Sequence, residues 1–283
     1  MFSAVETDDT GRYEPTEHYD RVTDPWKLLL GEELHYGVFD QGDEPLPVAT
    51  AALTARMVDG AQLAPGLRVL DVGCGTGAPA CALVQAHGVE VLGITPSEVG
   101  VARAGQRAEA LGLTGATFEV RDGTDNGLPD ESFDRVWVLE SSHLMRERER
   151  LIAECARVLR PGGRVVLCDI VRHREIPFKE VKDRREDFAV LRAAFGDAHM
   201  ESLDYYEAQL TAFGLQVDTR VDLTKATLPT FAAWRANARD NRDQVLESLE
   251  PDELEAFERS ADILEAFWLD GTFGYGLIAA RKP

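Results

Sequence analysis

The sequence predicts an α/β fold in which a doubly wound, mainly parallel sheet lies beneath a helical cap. Three observations carry that prediction. From Leu67 to Ile170 short β-branched runs alternate with helix-length amphipathic ones, and a loop with three glycines follows the first of those strands. Beyond Ile170 the chain is longer than such a sheet needs and is rich in helical periodicity. Alternation of this kind implies right-handed βαβ units, whose ligands sit beyond the carboxyl ends of the strands.

The elements follow in order. RVLDV (68–72) reads as a strand, APACALVQAHG (78–88) as a helix and VEVLGIT (89–95) as a strand. SEVGVARAGQRAEALG (97–112) is a helix that Ser97 is placed to cap and Gly112 to end. Then come the strands TFEVRD and FDRVWVLE, the helix RERERLIAECARVLR, and the strand RVVLCDI. In that helix Leu151, Ile152, Cys155, Val158 and Leu159 form one apolar face, and Pro161, Gly162 and Gly163 stop it. The loops after Val72, Thr95, Arg121, Glu140 and Ile170 therefore share one rim. Further on, Val181, Phe188, Leu191 and Phe195 recur at helical spacing, as do Leu254, Phe257, Ala261, Leu264 and Trp268. Each set predicts a helix with a face to bury.

Composition bounds the function. A chain of 283 residues that is 44% hydrophobic has an ample core and reads as a soluble globular protein. Fifty acidic residues against thirty Lys and Arg give a formal charge of -20. That field repels a nucleic-acid backbone and the anionic face of a membrane, so small molecules are the expected partners. Cys74, Cys81, Cys155 and Cys168 show no metal-ligand spacing and are too few for a disulfide scaffold, so they read as reduced, in a cytoplasm. The start lacks the basic leader and apolar segment of a secretory signal. No stretch approaches the roughly 20 apolar residues of a membrane span.

The strand RVLDV runs into GCGTG, Gly73 to Gly77, with Asp71 near the strand end. Glycines remove side chains where backbone turns sharply and passes close to a ligand. The spacing is DxGxGxG, not the GxGxxG of dinucleotide folds, which argues against a nicotinamide enzyme. VLDVGCGTG, with FEVRDGTDNGLPDESFDRVWVLES and VLRPGGRVVLCDI at the right distances, resembles the class I S-adenosylmethionine-dependent methyltransferases. LGEELHYGVFD, LESSHLM and GYGLIAARKP resemble, within that superfamily, the small-molecule enzymes of natural-product pathways. The likeness runs from about Tyr19 to the end of the chain. It implies a Rossmann-like sheet of seven strands and a division into four segments: an acidic tail and N-terminal helices closing over the cofactor (1–64), the cofactor-binding core (65–171), a helical lid (172–214), and the last two strands with intervening cap helices (215–283).

The same resemblance implies that Asp71, Gly73, Gly75 and Gly77 line the methionine end of S-adenosylmethionine. Asp122 would accept from the adenine amino group, with Gly123 and Thr124 beside the ring. Tyr19 and Tyr36 would close over the cofactor. Many relatives end the second strand in an acid that grips the ribose, whereas this chain has Thr95 there, and a neutral hydroxyl bonds more weakly than a carboxylate. The ribose is thus left to Thr95 or to backbone groups.

Methyl transfer is an in-line displacement, so the enzyme must align the acceptor and keep water out. A hydroxyl acceptor also loses its proton, and a base with a pKa near the working pH helps most. His143 in LESSHLM, with an ordinary pKa of roughly 6.5, is the candidate base, with His35 as second choice. Glu140 is the other catalytic candidate: it could orient the methionine moiety of the cofactor, bind an acceptor amine, or stabilise a cationic intermediate. Asp169 is a weaker candidate for base or metal ligand; no compact ligand motif is present, and the site is expected to be metal-free. Tyr205, Tyr206, Phe231, Trp234, Phe267 and Trp268 could line an acceptor pocket, although their spacing suits a helical core equally well. RHREIPFKEVKDRRED, the most basic segment, reads as a solvated helix face.

The expected function is transfer of a methyl group from S-adenosylmethionine to a small-molecule acceptor, a specialised metabolite, with S-adenosylhomocysteine as product and oxygen favoured over carbon or nitrogen. One alternative is a C-methyltransferase acting on an electron-rich ring or alkene. Another is a cofactor-retaining protein that binds a ligand or promotes a rearrangement without transferring methyl. A homo-oligomer stays open, because an apolar cap face could pack internally or against a second chain.

Overall fold

A computed structural model describes residues 25–283. In chain order the elements are α1 (25–30), α2 (Leu46–Ala61), β1 (Arg68–Val72), α3 (Ala78–His87), β2 (Glu90–Thr95), α4 (Glu98–Ala110), β3 (Ala116–Val120), β4 (Phe133–Leu139), α5 (Arg148–Val158) and β5 (Leu159–Arg172). They continue with α6 (Phe178–Asp183), α7 (Arg185–Phe195), α8 (Leu203–Ala212), β6 (Gln216–Asp222), α9 (Thr224–Thr227), α10 (Thr230–Asp240), α11 (Arg242–Val245), α12 (Pro251–Leu269) and β7 (Phe273–Arg281). The chain divides into two compact units. Among the described residues, one comprises 25–53, Arg172–Met200 and Leu223–Gly274; the other comprises Thr54–Val171, Glu201–Asp222 and Tyr275–Pro283. Among the described residues no helix is long and apolar enough to cross a membrane.

The second unit is built on the expected seven-stranded sheet, in the order β3-β2-β1-β4-β5-β7-β6. The pairs β1–β2, β1–β4, β2–β3 and β4–β5 are parallel, and β6 runs antiparallel to β7. Strand order reverses between β1 and β4, so the crevice beyond their carboxyl ends is where such a sheet receives a ligand. Both strands are covered on two faces and therefore read as apolar runs: Val69, Leu70, Val136, Trp137 and Val138 are fully buried. The edge strand β6 instead alternates exposed and half-buried residues and carries Asp218, Arg220 and Asp222, which discourages pairing with another chain.

Local chemistry accounts for the element ends. The Ser97 hydroxyl accepts from the Gly100 amide at 2.7 Å and starts α4, and Gly112 follows its end with φ 65°. α5 stops before the expected Pro161-Gly162-Gly163 brake, because Leu159 is already extended and pairs with Phe133 of β4. All four cysteines are buried free thiols.

The first unit is mainly helical. α12 begins with Pro251 and a reciprocal capping box between Glu250 and Glu253, and buries Leu254, Phe257, Ala261, Leu264 and Trp268 as its spacing predicts. The helix expected through Val181 and Phe195 is instead two helices, α6 and α7. The break falls at Arg184, whose non-helical backbone sets its guanidinium 3.6 Å from the centre of the Phe267 ring and within 3.2 Å of Asp270. Tyr36 is buried here, stacked on Trp268 at 5.5 Å and flanked by Phe231 and Trp234. Each such aromatic pair contributes about 0.5–1.5 kcal/mol beyond area burial. A Cβ on Gly37 would lie 2.6 Å from that of Ala49, so the HYG turn has no room for a larger residue.

Candidate active site

The glycine loop leaves β1 and is pinned to β2, with the Gly73 and Cys74 amides donating to the Ile94 carbonyl at 2.8 and 3.1 Å. The three glycines serve different needs. Gly73 (φ 81°) faces Ser141, whose Cβ would lie 2.2 Å from an added methyl, and Gly77 (φ 74°) is closed in by Ala104 and Phe118. Gly75 (φ 51°) has nothing within 4 Å of where a Cβ would project, so this part of the loop presents bare backbone to open space. Beside the loop, Asp71 is 3% exposed and its Oδ2 has no hydrogen-bond partner. Burial pushes its carboxyl pKa up to about 7.

After β3, Asp122 is exposed and its Oδ1 accepts from the Thr124 amide and hydroxyl, both at 2.8 Å. That closed turn fixes the direction of the carboxylate. Gly123 is a packing requirement, since a Cβ there would lie 2.6 Å from Val72. Thr95 ends β2 buried, with its hydroxyl accepting from the Ser97 amide at 3.3 Å.

The turn after β4 brings the catalytic candidates together. Glu140 has left-handed backbone (φ 47°), uncommon for a residue with a long side chain. Its amide donates to the Cys168 carbonyl at 2.9 Å, and its Oε1 accepts from the Tyr275 hydroxyl. Ser141 donates to the Val72 carbonyl at 2.7 Å, tying this turn to the start of the glycine loop. A 3-10 turn, Ser142–Leu144, then presents His143, whose Nδ1 lies 2.6 Å from Asp169 Oδ1 on β5. Asp169 is fully buried and also accepts from the His143 amide at 3.0 Å, its neighbour Ile170 at 2.8 Å and the Ser142 hydroxyl. Tyr206 of α8 completes the network, with its hydroxyl 2.7 Å from that of Ser142.

The electrostatics follow from this geometry. Burial is the largest influence on His143 and opposes its charged form, but the charge and hydrogen bond of Asp169, aided by Glu140, outweigh burial and raise the pKa; the Arg148 charge pulls the other way. For Asp169, burial opposes ionisation and is outweighed by His143 and by the donors, so its pKa is lowered. With Nδ1–H directed at a carboxylate, Nε2 is the ring nitrogen that can take a proton from an acceptor. Arg148, 3% exposed, donates from Nη1 to the Met145 carbonyl at 3.2 Å, while its Nε and Nη2 lack hydrogen-bond partners.

The sequence-derived candidates Asp71, Gly73, Gly75, Gly77, Thr95, Asp122, Gly123, Thr124, Glu140 and His143 all fall in the second unit, at the carboxyl ends of its parallel strands. Tyr36 belongs to the first unit, in the aromatic cluster described above. Tyr19 and His18 lie outside the described residues. Sequence reasoning gave Asp169 a minor part and missed Ser142, Tyr206 and Tyr275 as partners of the candidates. Tyr206 and Tyr275 stand 64 and 135 positions from the groups they bond, beyond the reach of any local pattern.

Residues 70–167 match the family model described as a methyltransferase domain. The chain is 36% identical to the 27-O-demethylrifamycin SV methyltransferase of Amycolatopsis mediterranei, covering 94% of this chain and 95% of the relative. It is 32% identical to the methyltransferase GfsG of Streptomyces halstedii, covering 77% and 78%. Among solved structures, the [4+2]-cyclase SpnF superposes with a TM-score of 0.79 at 27% identity, over 95% of each chain.

Proposed function

Because the chain belongs to the S-adenosylmethionine-dependent methyltransferases, taking a methyl group from that cofactor to a small-molecule acceptor, we propose that it methylates a hydroxyl oxygen of a specialised metabolite, with His143 as general base and Asp169 as the group that orients it. The carrying observation is the buried His143–Asp169 pair on the turn that Ser141 ties to the glycine loop. The residues fit the cofactor. The loop is bare backbone at Gly75, and the orphaned buried oxygen of Asp71 calls for a donor or a cation, which the ammonium of a methionine end provides. Asp71, Gly73, Gly75 and Gly77 would hold that end, Thr95 would stand at the ribose, and Asp122, Gly123 and Thr124 at the adenine. When bound, S-adenosylmethionine supplies a methyl group already activated by a sulfonium.

What remains for the chain is alignment, exclusion of water and removal of one proton. Asp169 fixes the tautomer and orientation of His143, whose Nε2 takes the acceptor proton. Tyr206, through Ser142, holds Asp169 in place. The Amycolatopsis relative, named for methylation at oxygen, supports the choice of acceptor atom. Incubation with S-adenosylmethionine and a panel of hydroxylated macrocyclic and aromatic metabolites, read as S-adenosylhomocysteine released, tests the proposal. His143→Ala should lower kcat by about 10²–10⁴-fold; an unchanged kcat removes the base role. A second reading, a cofactor-retaining catalyst of rearrangement, draws on the likeness to SpnF. It predicts no S-adenosylhomocysteine with any acceptor.

A further inference from the structure

A polar stripe on α5 has no part in the scheme above, yet it is laid along the loop that follows Asp122. Arg150, Glu154 and Arg157 fall at i, i+4 and i+7 and so share one side of the helix. They meet the loop in chain order. Arg150 Nη2 lies 3.5 Å from the Asp125 carboxylate, and the Glu154 carboxylate accepts from the Asn126 amide at 3.0 Å. Arg157 donates to the Asn126 side-chain oxygen at 3.2 Å, and to the Leu128 carbonyl and the Asp130 carboxylate at 2.6 Å each. Its guanidinium is itself fixed by a two-bond pair with Glu154, both bonds 2.7 Å.

The inner contacts carry the weight. Asp125 and Asp130 are exposed, and ion pairs at such positions contribute little. Asn126 is buried, and the hydrogen bond from Arg157 outweighs burial to hold the Glu154 carboxyl below its usual range, so the Asn126 amide meets a carboxylate. Asn126 in turn closes the turn that carries Asp122. Arg121, just before that turn, donates from Nη1 to the Asn126 carbonyl at 2.6 Å, and the Asp125 amide donates to the Asp122 carbonyl at 3.2 Å. At its other end the Arg121 amide is bonded to the Thr95 carbonyl at 3.0 Å. The turn is therefore strung between the end of β2 and the side of α5, and within it Thr124 takes Asp122 Oδ1, leaving Oδ2 for a ligand.

We propose that Arg157 is a positioning residue: through Glu154 and Asn126 it fixes the turn of Asp122, so that this carboxylate meets the 6-amino group of the cofactor's adenine already oriented. The inference rests on the placement of the adenine at Asp122 in the proposed function. A charge-assisted bond adds specificity through its geometry, and Arg157 sets that geometry without touching the ligand. With a neutral hydroxyl at Thr95, more of the grip on the nucleoside falls to Asp122.

The test is calorimetric titration of the purified full chain with S-adenosylhomocysteine and with its purine analogue, in which hydrogen replaces the 6-amino group. The wild type should bind the analogue about tenfold more weakly. Arg157→Met should weaken S-adenosylhomocysteine about fivefold and leave the analogue nearly unchanged, so that the ratio falls to about twofold. In the Asp122→Ala background the same substitution should add no more than about twofold, because its target has gone. Equal weakening of both ligands would reduce Arg157 to support for the loop, and an unchanged ratio would remove the role; either overturns the proposal. A wild type that does not distinguish the two ligands would remove the adenine from Asp122, and the proposal with it. If Arg157→Met does not fold, Glu154→Gln carries the test: it keeps the shape, turns an amide NH₂ on Arg157 or Asn126, and must lower the ratio in the same sense. The titration contains no acceptor, so an error in assigning His143 as base would leave its outcome unaltered.

Discussion

Asp169→Asn is the most informative single change. The carboxylate is fully buried and faces four donors: the His143 ring nitrogen and amide, the Ser142 hydroxyl and the Ile170 amide. Asparagine has the same shape but only one acceptor oxygen. Whichever way the amide turns, its NH₂ meets two of those donors. Of the two, the Ser142 hydroxyl can turn to accept, or the His143 ring can change tautomer, so one buried backbone N–H is left unpaired, at a cost of about 1–3 kcal/mol of stability. The catalytic effect is separable from this loss. Asp169 raises the His143 pKa, so its removal lowers it, and the base form then persists to lower pH. The acid limb of kcat should therefore move to lower pH while the plateau falls by about 10²–10⁴-fold, because the imidazole has lost its orienting partner. The assay is the initial rate of S-adenosylhomocysteine formation across pH at saturating substrates and below the melting temperature of the variant. A plateau within about threefold of wild type, or an acid limb that moves upward, would refute the dyad.

Three further outcomes are expected. Arg148→Met removes a buried charge whose Nε and Nη2 lack hydrogen-bond partners, so it should leave melting temperature close to wild type. It also lifts a charge that opposes protonation of His143, and the acid limb of kcat should move to higher pH, opposite to Asp169→Asn. Folded Asp71 keeps its proton to about pH 7, whereas an unfolded aspartate loses it near 3.8, so its burial penalty is absent below 3.8, grows as pH rises and levels off above 7. That displacement amounts to roughly 4 kcal/mol, and ligand-free Asp71→Asn should melt well above wild type at pH 8, level with it near pH 3, and bind S-adenosylhomocysteine more weakly. Gly73→Ala and Gly75→Ala should part company: the first drives a methyl into Ser141 and should unfold the loop, while the second should cost only about 1–2 kcal/mol of left-handed strain but block donor binding. Thermal melts with calorimetry distinguish the two, and equal melting temperatures would contradict the assigned roles.

Much of the molecule was legible locally. The order of strands and helices in the core, the cap of α4 at Ser97 and the buried face of α12 follow from periodicity and from capping chemistry, which act over a few residues. The glycine loop and the family were readable for the same reason, since DxGxGxG keeps its spacing within one strand-to-helix turn. That His143 and Glu140 stand on a strand-end rim also followed from the alternation alone. By contrast, the single helix expected through Val181 became α6 and α7 at Arg184, whose ring partner Phe267 and charge partner Asp270 lie on a distant stretch of chain. Nothing local marked Asp169, Tyr206 and Tyr275 as the groups that aim His143 and Glu140, and the glycines of the loop looked equivalent until Ser141 closed over Gly73 and left Gly75 open. Periodicity reports which face of an element is apolar, and a motif reports a turn. Which polar groups meet is decided only when the sheet sets β4, β5 and β7 side by side, because burial then obliges each polar atom to take whichever partner the topology has brought within reach.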